Sequence, residues 1–323
     1  MYYRSVTDED GFRNNSPINV SDIVVLGDSF AEVGHDEYDT FSKRLEVISG
    51  YKTKNLGLGW YGPFQYLLVF ERYGLKQEPK YAVFCFFEGN DIGDIHEYLK
   101  WKEGGDYWHF NLARKHFFQR FAVALGDLVS LNPRDQTTAL TEQKCIRDCP
   151  NKKATDVHPD LVVLEIRGNT RKTVFFYKSE PRSPDVLLQT IEYNALKEIL
   201  QQFKAVSSLN RVIPIVVFIP STVHIYAQYS VLSSGARWMK IRDAQISSKT
   251  NTETAVMRLL EQVGIRTISL TSSFEEAANK GRFLYYDFDT HWNSEGREIA
   301  ASYVAAKLAA FSENREGPAN ARP

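Results

Sequence analysis

Four short segments hold residue types that could together open an acyl ester. Gly27-Asp28-Ser29-Phe30 places a serine directly after the apolar run Asp22 to Leu26. A tight strand-to-helix turn there would expose the hydroxyl and leave the backbone N–H unused. Asn55-Leu56-Gly57-Leu58-Gly59-Trp60-Tyr61-Gly62-Pro63 is glycine-rich, so its backbone can turn N–H groups toward an anion. Glu88-Gly89-Asn90-Asp91 offers an asparagine amide that can donate to a developing oxyanion. Asp287-Phe288-Asp289-Thr290-His291-Trp292-Asn293 sets a carboxylate two residues before a histidine. At that spacing Asp289 can reach back to the imidazole and fix its tautomer, leaving the other ring nitrogen to act as a base. Nucleophile, base, orienting carboxylate and oxyanion donors are what covalent acyl transfer requires.

Taken singly, each segment has a plainer reading. Gly-Asp-Ser is also an ordinary capped turn, a glycine-rich turn needs no ligand, and Asn and Asp are good turn formers. Asp-x-His occurs at Asp94/His96, Asp156/His158 and Asp289/His291. Asp94/His96 follows an apolar run and competes directly, whereas Asp156/His158 has no framework to hold it. His35 is close enough to Ser29 in sequence to line the rim of a site, while His109, His116 and His224 read as packed or solvated. A metal-dependent hydrolase would draw on His35, Asp36 and His96. Cys145, Cys149 and His158 lack a fourth ligand at zinc-site spacing, so neither metal nor cofactor is expected. Cys85, inside YAVFCFF, reads as a small buried hydrophobe; Cys145 and Cys149 could pair or remain free thiols.

These segments need elements to position them, and the hydrophobic pattern supplies a repeat. Apolar runs at Asp22 to Leu26, Tyr51 to Leu56, Tyr81 to Phe87, Arg211 to Ile219 and Ile265 to Leu270 alternate with helical patterns. That alternation predicts an α/β fold, a three-layer α/β/α flavodoxin-like sheet of about five parallel strands. Helices are expected over Thr40 to Ile48, from Pro63, and over Ser294 to Phe311 with Ser294 as N-cap. Each of the four segments then falls at or near a strand end, where open α/β sheets bind ligands. Residues 92–185 break the repeat and read as a large insertion after the third strand, a lid or substrate platform. Its first half is rich in aromatics (Tyr98, Trp101, Tyr107, Trp108, Phe110, Phe117, Phe118). Its second half holds a hairpin of LVVLEI and KTVFFY around Arg167-Gly168-Asn169. The expected organisation is an extension over 1–21, an α/β domain of 22–91 with 186–311, and a polar tail over 312–323.

Composition limits the partners. The chain has 323 residues, 43% hydrophobic and 24% charged, and a formal net charge of −1. This is a globular composition without the basic excess of a nucleic-acid binder. No run approaches the length of a membrane helix, and the N-terminus lacks the form of a signal peptide. A soluble chain is expected, with its compartment and oligomeric state left open.

In this order on successive strand ends, the four segments resemble the four blocks of the SGNH/GDSL hydrolase family. The resemblance spans about Asp22 to Leu308, outside the insertion. It implies Ser29 as nucleophile, His291 as general base and Asp289 as its orienting partner, with Asn90 and the Ser29 N–H in the oxyanion hole. The family's remaining donor is a glycine of the second block. Here that place falls on Trp60, one residue after Gly59, so either N–H is a candidate. Asp28, His35 and Trp292 are expected to contact substrate. Asp10-Gly11-Phe12-Arg13 and the stretch from His291 to Gly296 further resemble a branch related to bacterial exopolysaccharide O-acetyltransferase domains, whose members are often exported or membrane-tethered. The implied activity is a serine esterase or O-acyltransferase acting on small-molecule or polysaccharide acyl esters, acetyl on carbohydrate in particular. The alternative is a glycan-binding scaffold that keeps the fold without catalysis.

Overall fold

The computed structural model describes residues 6–14, 20–104, 161–231 and 236–313. In chain order it contains β1 (Ile23–Leu26), α1 (Ser29–Glu32), α2 (Phe41–Ser49), β2 (Thr53–Asn55), α3 (Pro63–Val69), β3 (Tyr81–Phe87) and α4 (Asp91–Lys102). Then come β4 (Leu161–Ile166), β5 (Asn169–Val174), α5 (Pro184–Leu187), α6 (Ile191–Leu209), β6 (Ile213–Ile219), α7 (Thr222–Tyr226), α8 (Ala236–Ser248), α9 (Asn251–Val263), β7 (Arg266–Ser269), α10 (Thr271–Asn279) and α11 (Ser294–Glu313). His109, His116, Cys145, Cys149, Asp156, His158 and the aromatics from Tyr107 to Phe118 lie outside the described residues.

β1, β3 and β6 are apolar at nearly every position because helices cover both faces of their sheet. All neighbours pair in parallel, in the order β2-β1-β3-β6-β7. Side chains alternate between the two faces. Val25, Val83, Cys85, Ile215 and Val217 share one core with Phe30, Phe41, Leu45, Phe274, Val304 and Leu308 from α1, α2, α10 and α11. Val24, Leu26, Phe84, Phe86, Val216 and Phe218 share the other with residues of α3, α6 and α9, among them Tyr66, Phe203 and Leu260. The result is the three-layer α/β/α sheet with five parallel strands.

From β1 the chain steps outward to β2, then returns across β1 to make β3. This reversal opens a crevice at the carboxyl ends of β1 and β3, between the turns carrying Ser29 and Asn90.

Some details depart from the expected pattern. β5 begins at Asn169, ahead of Lys172, because Arg167 and Gly168 form a two-residue turn with φ of 50° and 81° that pairs Ile166 with Asn169. Asn293, in place of Ser294, caps α11: its Oδ1 accepts the Gly296 N–H at 3.0 Å. The Ser294 hydroxyl instead donates to Asp39 at 2.8 Å. The chain divides into two compact units, residues 1–99 with 160–323, and residues 100–159. The first is wider than the expected 22–91 with 186–311, since Val162, Leu164, Ile166 and Phe175 of the hairpin join the core that holds Val217 and Phe274.

Candidate active site

Ser29 is presented by packing on either side of it. A Cβ at Gly27 would stand 2.8 Å from the Ala31 Cβ and 3.0 Å from the Cys85 Cβ, so only glycine lets α1 begin this close to β3. Asp28 Oδ1 accepts the Phe30 N–H at 2.8 Å and caps the helix. Phe30 and Ala31 are buried beneath, leaving Ser29 half-buried as the first helical residue.

The segment carrying His291 meets it from the far end of the chain. Ser29 Oγ lies 2.7 Å from His291 Nε2, and His291 Nδ1 lies 2.5 Å from Asp289 Oδ1. The same carboxylate oxygen accepts the His291 backbone N–H at 2.9 Å. A carboxylate on Nδ1 places the ring proton there, so Nε2 is left to accept the serine proton. Burial would raise the Asp289 carboxyl, but the hydrogen bonds and charge of His291 outweigh it and hold Asp289 below its ordinary value.

This loop is braced from both sides. Trp292 is 0% exposed, with its ring 5.5 Å from both Phe30 and Phe41. It belongs to the core, and the expectation that it contacts substrate is corrected: the apolar ring anchors the histidine's neighbour under α1 and α2. Arg297, also buried, donates to Trp292 O at 2.6 Å and pairs with Asp39. On the other flank the Val174 N–H and Thr173 hydroxyl both donate to Asp287 O at 2.9 Å, and Arg171 pairs with the Asp287 carboxylate at 2.6 Å.

Asn90 donates its amide to Asp28 Oδ2 at 3.1 Å. Asp28 is 1% exposed, so it sits behind Asn90 and orients it; the expected direct contact with substrate is corrected on this ground. Burial raises the Asp28 carboxyl against the opposing pull of the Phe30 N–H, Asn90 and His291. Two more carboxyls lie behind the Asn90 turn. Asp91 accepts from the Tyr66 hydroxyl at 2.8 Å and the Phe87 N–H at 2.9 Å, and burial with the charges of Asp28 and Asp94 raises it well above the carboxylate range. Asp94 is pushed up to about 8 by burial, then by Asp28 and Glu97.

The glycine-rich turn lies against Ser29, since a Cβ on Gly59 would come within 3.7 Å of the Ser29 Cβ. One of its two candidate donors is already engaged: the Gly59 N–H donates to Glu32 Oε2 at 2.6 Å. Trp60 follows with φ of 71° and an exposed ring.

The remaining histidines separate cleanly. His35 is exposed and lines a cavity of about 660 Å³ with Tyr38, Arg44 and Tyr286, next to the loop of His291. His96 faces Glu192 at 2.8 Å. Among the described residues no group of three or more His, Cys, Asp or Glu is placed to hold a metal, so His35, Asp36 and His96 are not assembled into one. His224, read as packed, is buried with Nδ1 2.9 Å from Glu88. Glu88 also accepts the Ser221 N–H and hydroxyl, each at 2.8 Å, which ties the start of the Asn90 turn to the end of β6.

Residues 215–321 match the family described as the SGNH hydrolase-like domain of the acetyltransferase AlgX. The matched segment carries Asp289 and His291; Ser29, Gly59, Trp60 and Asn90 precede it. The resemblance to SGNH/GDSL hydrolases, and within them to the acetyltransferase branch, therefore holds. No curated protein matches the chain. Among solved structures the chain is similar to a putative acylhydrolase from Bacteroides fragilis, with 11% identity, 94% of this chain and 90% of the other covered, and a TM-score of 0.42. It is also similar to the acetyl xylan esterase AlAXEase, with 11% identity, coverage of 88% and 98%, and a TM-score of 0.46. An acetyl-xylooligosaccharide esterase from Geobacillus gives 11% identity, coverage of 89% and 94%, and a TM-score of 0.43. Among the described residues no helix is long and apolar enough to cross a membrane.

Proposed function

We propose that the chain is a serine esterase or O-acyltransferase that moves an acyl group, acetyl in the first instance, through an acyl-serine intermediate. The observation that carries this reading is the continuous relay from Asp289 to His291 to Ser29, at 2.5 and 2.7 Å. Ser29 Oγ attacks the acyl carbonyl while His291 Nε2 takes its proton. The tetrahedral oxyanion is received by the Ser29 N–H, the Asn90 amide and an N–H of the Gly59-Trp60 turn. His291 then returns the proton to the leaving alcohol, and water or an acceptor hydroxyl attacks the acyl-serine by the same route in reverse. A carbohydrate is the proposed acyl carrier, in keeping with the acetyltransferase family matched by the C-terminal residues, and His35 in its cavity is the proposed contact beyond the acyl group.

The non-catalytic scaffold would require serine and histidine too far apart to bond, which the 2.7 Å separation does not favour. The test is turnover of p-nitrophenyl acetate together with labelling by a fluorophosphonate. Ser29→Ala is expected to abolish both while leaving the thermal midpoint in place. Turnover that survives in Ser29→Ala removes Ser29 from the nucleophile's role.

A further inference from the structure

The turn after β2 is fastened to α1 and to the turn before it. Asn55 Nδ2 donates to Ala31 O at 3.1 Å, the Gly57 N–H to Asn55 Oδ1 at 2.9 Å, and the Leu58 N–H to Gly27 O at 3.0 Å. A Cβ on Gly57 would lie 2.6 Å from the Ala31 Cβ and 2.8 Å from the Glu32 nitrogen, so the two backbones are in contact. The last fastening is the Gly59 N–H to Glu32 Oε2 at 2.6 Å. Beyond it the Tyr61 N–H donates to Leu58 O at 3.2 Å, closing a turn with Gly59 and Trp60 at its centre.

The third position of that turn has φ of 71°, and Trp60 occupies it. A type II turn wants glycine there, because a Cβ crowds the backbone in the left-handed region. Here the glycine stands one place early. The tryptophan ring is largely exposed. The residue directly before it is held by Glu32, which accepts the Gly59 N–H.

We infer that Glu32 is a positioning residue of the oxyanion turn. By holding the Gly59 N–H it withdraws that amide from the site, fixes the 58–59 peptide that leads into the strained Trp60, and leaves the Trp60 N–H as the turn's donor to the oxyanion. Glu32 stands three residues after Ser29 on α1, one helical turn along the same face, so nucleophile and donor are referenced to one short helix. The inference rests on the acyl-serine reading above.

The test compares Glu32→Gln, Glu32→Asp and Glu32→Ala in the full chain, by kcat and KM for p-nitrophenyl acetate and by thermal midpoint. Loss of one oxyanion donor lowers kcat by about 10²–10³-fold, and a donor loosened but not removed falls below that range. Glu32→Ala is expected to lose about 10- to 100-fold in kcat with KM nearly unchanged. Glu32→Asp keeps the charge but falls one methylene short, and it should lose kcat like alanine. Glu32→Gln keeps an acceptor oxygen at the right reach and should recover most of the rate. Wild-type kcat in the Asp and Ala variants, or a Gln variant as slow as Ala, overturns the inference. So does a lowered thermal midpoint with unchanged kcat, which would mark a purely structural contact. An active Ser29→Ala would instead overturn the acyl-serine reading itself, whatever the Glu32 variants do.

Discussion

Replacing Asp289 by asparagine isolates the electrostatic part of the relay. Two things would be lost: the negative charge beside Nδ1, and the certainty that an acceptor faces it. The charge centres of a carboxylate and an imidazolium whose nearest atoms are 2.5 Å apart lie about 4 Å apart, which corresponds to roughly 1 kcal/mol in water and about 4 kcal/mol at an effective dielectric of 20. The Asp289 side chain is 50% exposed, which places the site between those limits. The expected loss in kcat is therefore on the order of 5- to 10³-fold. The upper end, or beyond it, follows if the amide turns its NH₂ toward Nδ1, because the ring proton then moves to Nε2 and the base can no longer accept from Ser29. The assay is kcat for p-nitrophenyl acetate from neutral to alkaline pH, with the thermal midpoint as a check on folding. His96→Ala serves as the control, since His96 is engaged by Glu192 on α6, and its kcat should match the wild type. An Asp289→Asn enzyme with wild-type kcat, or a His96→Ala enzyme as impaired as His291→Ala, would refute the assignment.

Two further predictions concern stability. With Asp94 at about 8 in the fold and near 4 in the unfolded chain, the folded state keeps a proton that the unfolded state gives up between those values. Stability must then fall as pH rises through that window, by at most about 1.4 kcal/mol per pH unit. Asp94→Asn is expected to flatten this slope in urea unfolding measured across the window, and parallel curves for the two proteins would refute it. Asp39 is the opposite case. Burial alone would raise its carboxyl, but Arg297 and Arg44 hold it well below the usual range. Its contribution is thus complete above pH 4 or so and lost only as pH drops through the lower folded value. Asp39→Ala leaves the 1% exposed Arg297 without its counter-charge and should cost roughly 3–5 kcal/mol at neutral pH. A loss under 1 kcal/mol in urea unfolding would show that Arg297 finds another partner.

The sheet was legible because β1, β3 and β6 are covered on both faces, and such strands must be written as unbroken apolar runs. β2 was harder to bound, since only Thr53 to Asn55 pair with β1 while the flanking Tyr51 and Leu56 are apolar for packing alone. The relay was legible for a local reason: with only Thr290 between them, Asp289 can bond both the backbone N–H and Nδ1 of His291. The residues alone left Asp94/His96 as a competitor, and the choice between them rested on the resemblance to the SGNH/GDSL blocks. Trp292 was misread because an aromatic beside such a histidine looks the same in sequence whether it faces a ligand or Phe30 and Phe41.

What sequence could not show is the row of carboxylates that orient the groups at the strand ends. Asp28 holds the Asn90 amide, Glu32 the Gly59 N–H, and Glu88 the end of β6 through Ser221 and His224. In sequence, Asp28 is a helix cap, Glu32 an ordinary helical residue, and Glu88 part of a turn. Their partners are fixed by the β2-β1-β3-β6 strand order, and no spacing within one segment encodes that order. The same point separates the two ways this site can lose activity. On the proposed acyl-serine route, changes at Ser29 or His291 remove an atom that reacts. Changes at Glu32 leave every reacting atom in place and move the hole around the oxyanion, so they should appear in kcat while KM and folding stay near their native values.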